Sequence, residues 1–79
     1  MRLTPVTLRA ARKVAGCTQR RLGAMIGVSD VYIAMLESGK RRLNDRIERR
    51  IREALGLTDE QIAEVERLCR RLMSDKQAI

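Results

Sequence analysis

Apolar residues recur along this chain in short clusters at helical spacing, each bounded by residues that start or stop a helix. Leu8, Ala11 and Ala15 form the first stripe. Thr4 stands before it as N-cap, Pro5 takes the first helical position where its missing N–H is no loss, and Gly16 ends it. Leu22 and Ile26, four apart, mark a second helix, capped by Thr18 and closed by Gly27, which tolerates the left-handed conformation. Ser29 caps a third, about Asp30 to Glu37, with Ile33 and Leu36 inward and Gly39 at its end. Asn44 caps a fourth, which turns Ile47, Ile51, Ala54 and Leu55 inward and Arg46, Arg49, Arg50 and Arg52 mostly outward. Thr58 and Gln61 form a capping box that opens a fifth helix, about 59–73. Its Ile62, Val65, Cys69 and Leu72 follow a 3-4-3 spacing, with Leu68 and Met73 widening the stripe, and residues 74–79 are expected to fray. The two central helices, of ~8 residues each, cannot hold alone in water and must be pressed against the others. The expected fold is therefore all-α, one compact five-helix domain over residues 1–79.

Composition narrows the picture. With 79 residues there is room for a single small core, and with no Trp, no Phe and one Tyr that core must be aliphatic. No apolar run approaches the ~20 residues that span a bilayer, so no membrane partner is expected. Gly23 and Gly27 spell GxxxG, but without such a run the membrane reading of that motif fails. The opening MRLTPVTLRAARK lacks the apolar segment of a secretory signal, and a cytoplasmic location is expected. Cys17 and Cys69 stand alone, with no histidine and no CxxC spacing, so neither metal nor cofactor is expected. Cys17 reads as a core thiol, and a disulfide is not expected in a reducing cytosol.

The net charge of +7 is unevenly placed: the first 53 residues sum to +8 and the remainder to −1. A basic front joined to a near-neutral rear suggests one surface for a polyanion and another for a different partner. Lys40, Arg41 and Arg42 form the densest cluster and are expected to lie along a phosphate strand, with Arg46 near enough to reach it. No histidine, no carboxylate pair in a cleft and no phosphate-cradling glycine loop are present, so catalysis is not expected. So small a domain is also expected to lack a pocket for a small-molecule effector.

Thr18-Gln19, Leu22, Gly23, Gly27-Val28-Ser29, Ile33 and Glu37-x-Gly39-Lys40 stand in register as a string. It resembles the helix-turn-helix of the Cro and phage-repressor family of DNA-binding domains, placed here at about 18–37. The likeness extends from Leu8-Arg9 and Arg12 to Ala54-Leu55-Gly56-Leu57. It implies a lambda-repressor-like fold, an ion pair between Arg12 and Glu37, a phosphate contact for Gln19, and a third helix lying in the major groove. Gly23 stands where the family commonly has Ala. A helical Gly costs ~1 kcal/mol against Ala, which is expected to be offset by close approach of the two helices.

On that helix Asp30, Val31, Ala34 and Met35 are the expected groove contacts, with Thr18, Arg20, Ser29 and Tyr32 on phosphates. The helix lacks the Arg, Lys, Asn or Gln that usually read bases. Affinity is therefore expected from phosphates, and specificity from apolar contacts and DNA shape. Size and the added fifth helix resemble the controllers of restriction–modification systems. The resemblance implies a homodimeric transcriptional regulator of phage or mobile-element type, a repressor or autoregulator on a pseudo-palindromic operator. The expected dimer seam is Ile62, Val65, Leu68, Cys69 and Leu72, the alternative being that the fifth helix folds back onto its own four-helix core. With the seam there, truncation after Gly56 would leave a folded or near-folded monomer with much weaker operator binding. The alternative is a protein-interaction module, such as the antitoxin of a toxin–antitoxin pair.

Overall fold

The structure is a computed structural model that describes residues 3–77, with the backbone alone for residues 73–77. Five helices follow in order: α1 (Pro5–Val14), α2 (Gln19–Ile26), α3 (Asp30–Ser38), α4 (Asp45–Leu55) and α5 (Asp59–Gln77). Among the described residues there is no strand. Nor is any helix there long and apolar enough to cross a membrane.

Three of the four joints are built from the same tripeptide plan. At Gly27-Val28-Ser29, Gly27 adopts φ +79° and ends α2, and the Val28 amide donates back to the Gly23 carbonyl at 2.8 Å. Val28 folds against the core, and Ser29 Oγ accepts from the Tyr32 amide at 3.1 Å to start α3. This is a helix stop, an apolar plug and a helix start in three residues. Gly16-Cys17-Thr18 and Gly56-Leu57-Thr58 repeat it, with return bonds from Cys17 to Arg12 (3.1 Å) and from Leu57 to Arg52 (2.8 Å). The Thr18 and Thr58 hydroxyls accept from the Arg21 and Gln61 amides. The expected capping box of α5 is present in both directions, since the Thr58 amide also donates to Gln61 Oε1 at 3.0 Å.

Every helix sends at least one side chain into the same core. Leu8, Leu22, Ile33, Leu36, Ile51 and Ile62 are fully buried, one from each helix and two from α3. The helix pairs in closest contact are α2 with α3 and α4, and α1 with α3 and α5. Two positions differ from what periodicity predicted. Leu3, ahead of α1, is buried, and its amide donates to Oε1 of the buried Glu48 on α4 at 3.3 Å. Ala15, expected on the buried stripe of α1, is instead exposed, because the helix ends at Val14 and Ala15 is its C-cap.

The fifth helix departs furthest from expectation. It runs to Gln77 rather than about 73, so 74–77 are helical, and residues 78 and 79 lie outside the described residues. Its first half folds back onto α1, and Ile62 has no exposed surface at all. Ile62 therefore does not belong to a dimer seam. A core that encloses it from within one chain leaves no face for a second. Val65 and Cys69 are half-buried, whereas Leu68 and Leu72 stand 52% and 65% exposed. The Met73 side chain lies outside the described residues.

Candidate nucleic-acid interface

The sharp turn between α2 and α3 sets the angle at which α3 is presented, and its backbone lies close against Gly23. A Cβ built on Gly23 would sit 2.6 Å from the Val28 carbonyl oxygen and 3.1 Å from the backbone of Ser29. The close approach is therefore made with the turn backbone, not between two helix faces. A Cβ there would force the turn backbone to shift.

A buried polar knot holds the far end of α3. Arg12 Nε donates to Glu37 Oε2 at 2.6 Å and Nη2 to Oε1 at 3.1 Å, while Nη1 donates to the Cys17 carbonyl at 2.8 Å. The side chains are only 10% and 4% exposed. Hydrogen bonding to Glu37 raises the pKa of Arg12 above its ordinary value, over the opposing effect of burial. One arginine thus fastens α1 to α3 and to the joint that leads into α2.

Gln19 joins this knot, its Nε2 donating to Glu37 Oε1 at 3.2 Å. The family resemblance implied a phosphate contact for Gln19. In the structure one hydrogen of its amide is committed to Glu37, which fixes the half-buried side chain beside α3. Gln19, Ala34, Glu37 and Ser38 line an open depression of about 250 Å³, together with Arg9 and Arg12 from α1. Arg9 and Ser38 were not among the expected site residues. Nothing in the local pattern marks Arg9, because only the packing of α1 against α3 brings it to this edge.

The remaining candidates fall on the surface around α3. Thr18, Arg20, Ser29, Asp30 and Val31 are exposed, as are Lys40, Arg41, Arg42 and Arg46. Ala34 and Met35 are half-buried, and Tyr32 leans against the core instead of standing free. The basic loop is tied to the helix it follows, since the Arg41 amide donates to the Met35 carbonyl at 3.2 Å. A further arginine braces the unit from below. Arg50 Nη1 donates to the Ile26 carbonyl at the end of α2, at 3.3 Å.

The two helices of the turn differ electrically at their starts. The first turn of α2 holds no acid and carries Arg20 and Arg21, adding positive charge to the positive end of the helix dipole. That arrangement is unfavourable in isolation and suits a nearby anion. The first turn of α3 holds Asp30, whose Oδ1 accepts from the Val31 amide at 2.9 Å. Phosphate is thus favoured beside α2 and opposed at the tip of α3.

An open groove of about 610 Å³ runs along α4, lined by Asp45, Glu48, Arg49, Arg52, Glu53, Gly56 and Leu57.

A helix-turn-helix family model matches residues 8–47, about half of the chain, from the buried Leu8 of α1 to Ile47 in the first turn of α4. No curated protein and no solved structure gives a significant match. The matched span holds the Gly27 turn, the Arg12–Glu37 pair, α3 and the basic loop behind it. The chain therefore belongs to the Cro/C1-type helix-turn-helix family of DNA-binding transcription regulators.

Proposed function

We propose that the chain is a homodimeric repressor or autoregulator of phage or mobile-element type, acting in the cytoplasm on a pseudo-palindromic operator. The α3 helix of each subunit would enter successive major grooves ~34 Å apart, one turn of duplex. The observation that supports this reading best is the exposed cationic loop Lys40–Arg42, bonded to the last turn of an outward-facing α3. Around it, Thr18, Gln19, Arg20 and Arg46 offer donors to phosphates on either side of the groove. Repression follows from occupancy of promoter DNA and requires no chemistry and no effector. Dimerisation doubles the phosphate contacts, and Leu68 and Leu72, exposed on the far half of α5, supply apolar surface for it.

The test is a gel shift of the full chain on the DNA flanking its own reading frame, repeated across salt concentrations. A protected inverted repeat with a steep salt dependence is the expected result. Binding by a monomer to a single half-site would remove the homodimer from this reading. The same exposed Leu68 and Leu72 also fit a second reading, in which α5 holds a small protein toxin. Co-purification of a stoichiometric partner with a chain that is monomeric alone would favour it.

A further inference from the structure

The outward face of α3 is apolar where a base-reading helix is usually polar. Val31 is 61% exposed, and Ala34 and Met35 are partly exposed beside it. Between Ser29 and Ser38 there is no Arg, Lys, Asn or Gln, the side chains that make paired hydrogen bonds to purine edges. The short polar side chains at the two ends of the helix each make one bond to its own backbone. Asp30 accepts from the Val31 amide at 2.9 Å, Ser29 Oγ accepts from the Tyr32 amide at 3.1 Å, and Ser38 Oγ donates to the Met35 carbonyl at 3.2 Å. Between those ends, with Tyr32 packed against the core, the surface offered to a base edge is methyl and thioether from Val31, Ala34 and Met35. In the major groove the one apolar group on any base edge is the C5-methyl of thymine.

We propose that this chain reads its duplex through thymine C5-methyl groups, with Val31 as the principal specificity-determining residue and Ala34 beside it. The inference rests on the DNA-binding reading above and deepens it. Val31 lies one residue into α3, beside Asp30, whose carboxylate turns phosphate away from the helix tip. That repulsion favours an approach in which the tip faces bases and the strand backbone lies on the Lys40–Arg42 loop. A recognition surface of this kind discriminates by burial rather than by hydrogen bonding. Withdrawing one methyl group from it lowers affinity about fourfold in each half-site. It also responds to DNA modification, because 5-methylcytosine carries the same group at the same ring position.

The test starts with duplexes selected from a randomised pool by the full-length chain at low salt. The selected site is then remade with deoxyuridine for thymidine, one position at a time. In a second series each T·A pair is replaced by C·G or by 5-methyl-C·G. Deoxyuridine at one position of each half-site is expected to weaken binding about fourfold per half, and 5-methylcytosine there to outperform cytosine. Val31→Ala, at an exposed position, is expected to keep the thermal melt and erase both differences. Tight binding that is indifferent to deoxyuridine everywhere would overturn methyl reading and leave the regulator reading standing. Methyl sensitivity undiminished in Val31→Ala would overturn the assignment to that residue. A pool from which nothing is retained at low salt would overturn both readings together.

Discussion

Arg12 and Glu37 illustrate what a single position decides in this protein. They make a bidentate pair that is almost wholly out of water, and a third bond reaches the Cys17 carbonyl. Such a pair adds little net stability against a well-packed apolar substitute, but removing one partner strands a buried charge. Glu37→Ala is expected to cost ~3–5 kcal/mol by urea unfolding, and Arg12→Met with Glu37→Leu to recover most of that loss. Because the pKa of Arg12 is raised, its contribution is complete below the ordinary arginine value and is lost only as pH climbs through the raised one. Alkaline titration across the lysine range should therefore leave this pair intact. Gly23→Ala is a second residue-scale test. Helix propensity alone predicts a gain of ~1 kcal/mol, but the clash with the Val28 carbonyl predicts a net loss of ~1–3 kcal/mol by thermal melt. The sequence indicated that Gly23 needed a compensating contact without saying which one. The contact is with backbone, and backbone leaves no side-chain pattern to read. Glu48 was hidden for a similar reason: its partner, the Leu3 amide, lies 45 positions away and outside every helix.

At the scale of helices, starts and stops were the most legible features. Thr4, Thr18, Ser29 and Asn44 all cap the helices they were expected to cap. These signals act within four residues, so the sequence carries them whole. The partner of a helix face is not local, and α5 shows the difference. A 3-4-3 stripe looks the same whether it meets its own core or a second copy, and Ile62 turned out to meet its own core. Truncation after Gly56 is accordingly expected to abolish cooperative unfolding, rather than release a folded monomer. Ile62→Ala should cost ~2–5 kcal/mol in the full chain. By contrast, Leu68→Glu with Leu72→Glu alters exposed positions and should preserve the melting temperature. If the far half of α5 joins two subunits, that double variant runs as a monomer in light scattering and binds a palindromic site much more weakly.

For the molecule as a whole, the basic excess of the first 53 residues includes the exposed Lys40, Arg41 and Arg42 that follow α3 directly. Arg41→Ala should weaken binding to specific and random duplexes alike and lower the slope of log affinity against log salt by about one per subunit, about two for a bound dimer. A loss confined to one sequence would place Arg41 on a base instead. The fold class, the turn and the basic loop could all be read from the chain alone, since each is written in neighbouring residues. The gathering of Arg9, Gln19 and Ser38 at one depression could not, because three helices must pack before those side chains meet.

The two sides of α3 answer to different demands. Ile33 and Leu36 are sealed inside and Glu37 is tied to Arg12, whereas the Val31 side chain stands in solvent. Outer positions can thus change one codon at a time while the domain stays folded. After a gene duplication, the daughter copy can drift toward a new set of promoters without an unstable ancestor along the way.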